Sequence, residues 1–351
     1  MGNMELLDRS DYLKADTSFV MDSILRFPEM CREAFSLNSK IVIPSYYIKA
    51  KKIVLLGMGG SGSACDIMRD FLLEHTDLVV ESVHNYILPG FVDKDTLVIA
   101  NSFSGNTEET LSGFISAYEK GAKLIAITKG GKLKILADKY RVPVFTFELD
   151  TAPRTAFPYL FFMLLGVFEK LGHLELSHSF VQSVTETLET AILKYGPNSS
   201  LFENPAKILA EKIHGKIPVI FATEKLAGVA NRWKNQFNEN SKNISFIGLL
   251  PEIDHNLIEG MQSPKSVCYV LSLESNFEQN RNILRQNITF EILLKNKMLL
   301  ERIKFIHTKE WLTEVLFFVL YGDFVSYYLA VLNKVNPGTN DVINRLKDRL
   351  S

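Results

Sequence analysis

This chain predicts a layered α/β fold built on parallel sheets, and two patterns predict it. Short, continuously apolar, β-branched runs recur at 53–56, 97–100, 124–127 and 219–222. Strands covered by helices on both faces read this way. Segments with helical spacing of apolar residues lie between them, and strand–helix alternation builds a doubly wound parallel sheet through right-handed crossovers. The alternation runs once before residue 172 and again after residue 205, so two α/β units of similar size are expected.

An N-terminal arm over 5–50 reads as mostly helical and ends near Pro44. The first unit then runs as strand 52–57, helix 63–74, strands 78–83 and 96–100, helix 107–120, strand 123–128, helix 133–139 and strand 142–147. A strongly apolar helix follows over 156–171. From 173 to 204 an amphipathic helical connection is broken at Gly196-Pro197-Asn198. The second unit has strand 217–222, helix 225–242, strands 244–249 and 266–273, a helix within 276–296 and a weak strand near 301–306. A long helix over 310–332 and a terminal one over 340–350 complete it. As domains, this gives an arm (1–50), a first unit (51–172), a connection (173–204) and a second unit (205–351).

With 351 residues, 46% of them hydrophobic, there is room for two domains with a sizeable core. A formal net charge of -1 carries no nucleic-acid footprint. Cys31, Cys65 and Cys268 are widely spaced and show no metal or redox spacing, which points to a reducing cytoplasm. The N-terminus lacks a basic–apolar–small signal pattern, and Leu6 stands where a myristoylation signal would carry Ser or Thr. The apolar run 315–332 is interrupted by Asp323 and reads as a buried helix rather than a membrane span. A cytoplasmic protein without membrane or nucleic-acid partners is expected.

Two turns carry the chemistry. Leu56-Gly57-Met58-Gly59-Gly60-Ser61-Gly62-Ser63 and Asn101-Ser102-Phe103-Ser104-Gly105-Asn106-Thr107-Glu108-Glu109-Thr110 each follow a predicted strand and enter a predicted helix. Small residues, hydroxyls and helix-start N–H groups can cradle a phosphate without a lysine. Ligands of open α/β sheets sit at these carboxyl ends. The first turn also satisfies the dinucleotide pattern G-x-G-x-x-G, with Glu81 near the place of its acidic partner, so alone it leaves a dinucleotide open. The second turn favours a single tetrahedral anion, because Ser102, Ser104 and Thr107 can surround one. Gly60, Ser61, Ser102, Ser104 and Thr107 are thus the expected phosphate ligands, and Thr107 is also placed to cap its helix.

The segment Ser102–Thr110 closely resembles the signature of sugar isomerase (SIS) domains, which bind phosphosugars. Further motifs are Pro153-Arg154-Thr155-Ala156-Phe157-Pro158, Asn235-Gln236-Phe237-Asn238-Glu239-Asn240-Ser241-Lys242, Pro251-Glu252-Ile253-Asp254-His255-Asn256 and Tyr321-Gly322-Asp323-Phe324-Val325-Ser326. In this order they resemble the bifunctional phosphoglucose/phosphomannose isomerase family, from about residue 50 to the C-terminus. The resemblance implies two SIS-type doubly wound subdomains, each a mainly parallel sheet flanked by helices. It implies an aldose–ketose isomerase of glucose 6-phosphate and fructose 6-phosphate, with mannose 6-phosphate left open. Glu239 matches the family's base, which would carry a proton between C2 and C1 of a cis-enediol. His255 matches the ring-opening histidine, supplied by the partner chain of a homodimer with shared active sites; imidazole can donate and accept near pH 7. Arg154 would stabilise the enediolate by preorganised charge. Lys334, in Asn333-Lys334-Val335-Asn336-Pro337, would assist ring opening or contact sugar oxygens, and Ser326 or Tyr327, two turns earlier, would tune acceptance of the C2 epimer.

No cofactor or metal is expected: the seven histidines form no ligand cluster, and enediol chemistry can run on side chains. Phe103 stands where the SIS signature more often has tyrosine, and Phe157 and Trp233 are larger than the family's motifs suggest. Two other readings stay open, a non-catalytic phosphosugar-binding regulator and an aminosugar-phosphate isomerase of the SIS class. Glu239, Arg154 and His255 together argue against the first.

Overall fold

The computed structural model describes residues 16–262, 267–305 and 308–350. The start of the expected arm, Ser266 and Ile306 lie outside them. The chain forms two compact units: one is residues 26–186, the other residues 16–25 with 187–350.

In the first unit, helix α1 of the other unit (Val20–Leu25) gives way to α2 (Phe27–Leu37), and the alternation starts at β1 (Lys52–Leu56). There follow α3 (Gly59–Leu72), β2 (Val79–Val83), β3 (Thr96–Ser102), α4 (Glu108–Glu119), β4 (Lys123–Thr128), α5 (Gly131–Tyr140), β5 (Val144–Thr146) and α6 (Phe157–Lys170). The sheet order is β2-β1-β3-β4-β5, with every pairing parallel. Register sets Leu56 against Ala100, and Ser102 against Thr128. Alternate residues face opposite layers. Val54, Leu56, Val98, Ala100, Leu124 and Ala126 pack with Phe114 and Ala117 of α4 and Leu133 and Ala137 of α5. Ile53, Leu55, Leu97, Ile99, Ile125 and Ile127, pointing the other way, are equally buried. The unbroken apolar runs therefore follow from a sheet with two covered faces.

The bulky Phe157 sits in that apolar surround, its ring 5.3 Å from Phe161 and 6.3 Å from Phe27. Phe103 packs 6.0 Å from Phe147, with the Lys129 ammonium 5.7 Å from its ring centre.

In the second unit, the connection after α7 (His178–Tyr195) leads to α8 (Pro205–Ile213), started by Asn204, whose Oδ1 accepts from the Ala206 and Lys207 amides. The alternation continues as β6 (Ile217–Thr223), α9 (Ala227–Glu239), β7 (Phe246–Leu250), β8 (Cys268–Glu274), α10 (Asn280–Lys295) and β9 (Leu300–Lys304), ending in α11 (Trp311–Leu332) and α12 (Asp341–Leu350). The sheet order is β7-β6-β8-β9, again all parallel, and the weak strand near 301 pairs fully with β8.

Helix α11 is buried at every position from Leu312 to Ala330, which explains its apolarity on all sides. It is long and apolar enough to cross a membrane, yet it lies in the interior of its unit. Its Gly322 makes room for Trp233 of α9: a Cβ there would stand 2.4 Å from the indole Nε1, which donates to the Phe318 carbonyl at 2.8 Å. A small residue on one helix thus accommodates a large one on its neighbour.

Candidate active site

In the first sheet the strand order reverses between β1 and β3, and a ligand crevice opens outside the carboxyl ends at such a switch point. Both hydroxyl-rich turns emerge there. Helix α3 begins at Gly59, four residues before the sequence-based start, because glycine's poor helix propensity hid its first turn. Gly60 and Ser61 are therefore within the first helical turn, where backbone N–H groups lack intrahelical acceptors and carry the positive end of the helix dipole.

The turns are locked together. Asn101 Nδ2 donates to the Ser61 carbonyl at 3.5 Å, and the Phe103 amide donates to Ser61 Oγ at 3.2 Å. Ser102 Oγ accepts from the Gly105 amide at 3.2 Å and lies 3.3 Å from Thr107 Oγ1. Ser104, exposed, accepts from the Asn106 amide at 3.2 Å. A hydroxyl oxygen that accepts a backbone N–H retains its own proton to donate. Ser61 and Ser104 thus each keep a hydroxyl proton free to donate. Thr107 occupies the N-cap position of α4, but its side chain makes no cap bond and turns to Ser102 instead, correcting the expected capping role.

Glycine is required at the tip of the second turn. Gly105 has φ +67°, and a Cβ there would stand 1.9 Å from the Gly130 carbonyl oxygen. That oxygen belongs to backbone and cannot swing away. Gly105→Ala is expected to cost about 1–3 kcal/mol of stability and to lower Tm by several degrees, measured by thermal unfolding.

Arg154 is brought to the first turn. It lies in the short helical turn Pro153–Ala156 and is 2% exposed. A Cβ on Gly60 would meet Arg154 Cα and the Pro153 carbonyl at 3.1 Å each, so the two backbones touch there.

One residue at this site escaped the sequence reading. His84, just past β2, has Nδ1 2.6 Å from the Gly57 carbonyl and Nε2 2.7 Å from Asp66 Oδ1. Hydrogen bonding to Asp66 first, then its charge and the Gly57 carbonyl, raise the imidazole pKa above the ordinary 6.5 against desolvation and Arg69. No motif surrounds His84; only the fold carries it beneath Gly57.

In the second unit Glu239 is the last residue of α9 and half-buried. A buried polar network holds this helix to α11. Arg232 Nη2 donates to both carboxylate oxygens of Asp323, at 3.0 and 2.9 Å, and Gln236 Nε2 donates to Asp323 Oδ1 at 2.7 Å. Asn240 Nδ2 donates to Ser326 Oγ at 3.0 Å. Of the two specificity candidates, Ser326 thus bonds to the residue that follows Glu239, and Tyr327 is fully buried, edge-on to Tyr328. Lys334 is exposed, with φ +56°. Its turn reaches the end of α9: Asn333 Nδ2 donates to the Ser241 carbonyl at 2.9 Å, and Lys242 Nζ bridges the carbonyls of Glu239 and Thr339. The turn carrying Lys334 and the residue Glu239 are thus neighbours. His255 is exposed in the short helical turn Glu252–His255 after β7, while its neighbour Asp254 is tied to Arg285 at 3.2 Å and Thr289 at 2.8 Å of α10.

The turn after β8 is the topological counterpart of the Ser102 turn, and the protein fills it with its own carboxylate. Glu314 accepts from Ser275 Oγ at 2.5 Å, from the Asn276 amide at 2.8 Å and from Asn276 Nδ2 at 2.7 Å. Burial raises the Glu314 pKa. The two turns therefore differ: the one after β8 is already engaged by a carboxylate of the chain itself.

Residues 46–141 match the SIS domain family, and residues 202–350 match the family described as bacterial phospho-glucose isomerase C-terminal SIS domain. The bifunctional phosphoglucose/phosphomannose isomerase of Caldicellulosiruptor bescii is 34% identical over 338 residues, covering 95% of this chain and 99% of that protein. The protein of the same name from Aquifex aeolicus is 34% identical across 86% of this chain and 90% of its own length. Tagatose-6-phosphate ketose/aldose isomerase from Escherichia coli superposes with a TM-score of 0.72 at 14% identity, covering 92% of this chain and 94% of that one, a likeness of fold. Two SIS-type parallel sheets, and identity at this level along almost the full length of such relatives, lead to one conclusion: the chain belongs to the bifunctional phosphoglucose/phosphomannose isomerase family of sugar-phosphate isomerases.

Proposed function

We propose that the protein interconverts glucose 6-phosphate and fructose 6-phosphate through a cis-enediol, and that mannose 6-phosphate is a second aldose substrate. The observation that carries this reading is the joined pair of turns at the β1/β3 carboxyl ends, whose hydroxyls and helix-start amides suit a phosphate monoester. The names of the two relatives support the choice of hexose.

In this reading Gly60, Ser61, Ser102, Ser104 and Thr107 hold the phosphate. Binding at that non-reacting end orients C1 and C2. His255 opens the ring by moving a proton between O1 and the ring oxygen. It acts on the substrate of a partner copy in a homodimer, a role that suits its exposure. Glu239 removes the C2 proton of the open aldose and returns it to C1, while the hydroxyl proton on O2 passes to O1, so that the carbonyl moves from C1 to C2. Arg154 balances the charge that develops on O1 and O2. Lys334 contacts the sugar oxygens, a role that its turn's tie to α9 supports. The proton leaves one carbon and arrives at the next, so no redox partner is needed.

The test is a coupled assay of the purified protein with fructose, glucose, mannose and glucosamine 6-phosphates. Turnover of the neutral hexose phosphates is the expected result. Turnover of glucosamine 6-phosphate alone would favour an aminosugar isomerase. Tight binding without turnover would mark a sensor.

A further inference from the structure

We propose that His84 is a positioning residue for the phosphate turn: its ring, donating to the Gly57 carbonyl and to the Asp66 carboxylate at once, holds residues 57–62 in the shape that receives a phosphate. The proposal rests on the reading of that turn as a phosphate grip.

The argument begins with the partners. A backbone carbonyl only accepts, and an ionised carboxylate only accepts. Both ring nitrogens face such an oxygen, at 2.6 and 2.7 Å, so both contacts are satisfied together only by the doubly protonated ring. A neutral ring would aim a lone pair at one of these oxygens. Ser82 Oγ, donating to the same Asp66 Oδ1 at 2.7 Å, helps fix that carboxylate. The ring also fills a gap that only glycine leaves open. A Cβ on Gly62 would stand 2.9 Å from the Gly57 oxygen and 3.0 Å from His84 Nδ1. His84, Gly57 and Gly62 therefore form one packed contact beneath the turn. Gly62 makes the first backbone bond of α3, from its amide to the Met58 carbonyl at 3.1 Å. Releasing Gly57 would loosen the helical turn whose amides face the anion. The clamp also sets a positive charge behind a dianion site.

The charged groups that act on His84 are Asp66 and Arg69, both on α3. Arg69 is itself paired with Asp70 at 2.6 Å and feels Glu81 of β2. Since the folded-state pKa lies above the ordinary 6.5, the clamp is complete below pH 6.5 and fades as pH rises through the raised value. The substrate phosphate, with a second pKa near ~6, is already dianionic from pH 7 upward, so that range isolates the ring.

The experiment measures kcat and KM for fructose 6-phosphate from pH 7 upward for the native protein, His84→Gln and Asp66→Asn. The protonation of His84 is followed by ring nitrogen NMR. In the native protein KM should rise about 5- to 10-fold as the ring loses its proton, the net worth of one hydrogen bond, while kcat changes less. His84→Gln should show the raised KM already at pH 7, without that pH limb. Asp66→Asn should move the limb down by about one pH unit or more, and NMR should report the same shift of the ring. A native KM profile in His84→Gln, or a neutral native ring at pH 6.5, overturns the proposal alone. A native protein that neither binds nor turns over hexose 6-phosphates overturns the functional reading, and this one with it. If His84→Gln does not fold, Asp66→Asn and the native NMR titration decide.

Discussion

Glu239→Gln should lower kcat by about 10²- to 10⁴-fold, the usual contribution of a positioned general base, while KM changes little. The amide keeps the shape and most of the polarity of the side chain but cannot accept a proton from carbon. The proposed phosphate ligands are untouched, so affinity for the ground-state substrate should survive. The residue ends a helix whose buried face is fixed by Arg232, Gln236 and Asn240 against α11, so the substitution at its half-buried end should not unfold it. Steady-state kinetics with fructose 6-phosphate, together with calorimetric binding of glucitol 6-phosphate, separate the two quantities. A variant with near-native kcat would remove Glu239 as the base. A variant that no longer binds would mean that the side chain is a binding group instead.

The largest effect on stability should come from Asp323. Its carboxylate is almost fully enclosed, as is the guanidinium of Arg232, with side chains 4% and 1% exposed. Asp323→Ala strips that guanidinium of its ion-pair partner in a site closed to water and takes an acceptor from Gln236. Breaking a buried pair from one side costs about 3–5 kcal/mol. For a unit of this size, a fall in Tm of about 10 °C is expected. Replacing both partners by apolar residues, as in Arg232→Met with Asp323→Leu, should recover most of the loss, because both buried charges disappear together. Thermal unfolding of the three variants gives the answer. An Asp323→Ala protein that melts within about 2 °C of the native one would show the pair to be dispensable. The same network sets the end of α9, so kcat should fall in the single variant and recover only in part in the double one.

Much of this was legible in the sequence. The apolar runs announced buried parallel strands because both faces of each sheet are covered, and even the weak signal near 301 proved to be strand β9. The early start of α3 was hidden because glycines at 59, 60 and 62 read as loop. Propensity describes an isolated segment, and here the Pro153–Arg154 backbone packs directly against Gly60, and His84 and the Gly57 carbonyl against Gly62. The gathering of the Ser61, Ser102, Ser104 and Thr107 hydroxyls in two turns was readable because local spacing alone places them after strand ends. Thr107 stands at the N-cap position, where capping is the default, but the Ser102 hydroxyl engages its side chain instead. His84 and Glu314 could not be read. Their partners are far away in sequence or are backbone atoms, and no motif surrounds either residue. The accommodation of Trp233 by Gly322 likewise needs two helices in contact.

The central claim is that turns 57–62 and 102–107 grip the phosphate of a hexose 6-phosphate. A crystal structure of the protein with glucitol 6-phosphate tests it most directly. The expected result is a phosphate group within hydrogen-bond distance of the Ser61, Ser102, Ser104 and Thr107 hydroxyls, capped by the first amides of α3. A phosphate bound elsewhere, with these hydroxyls still engaged only with the neighbouring backbone and with each other, would contradict it.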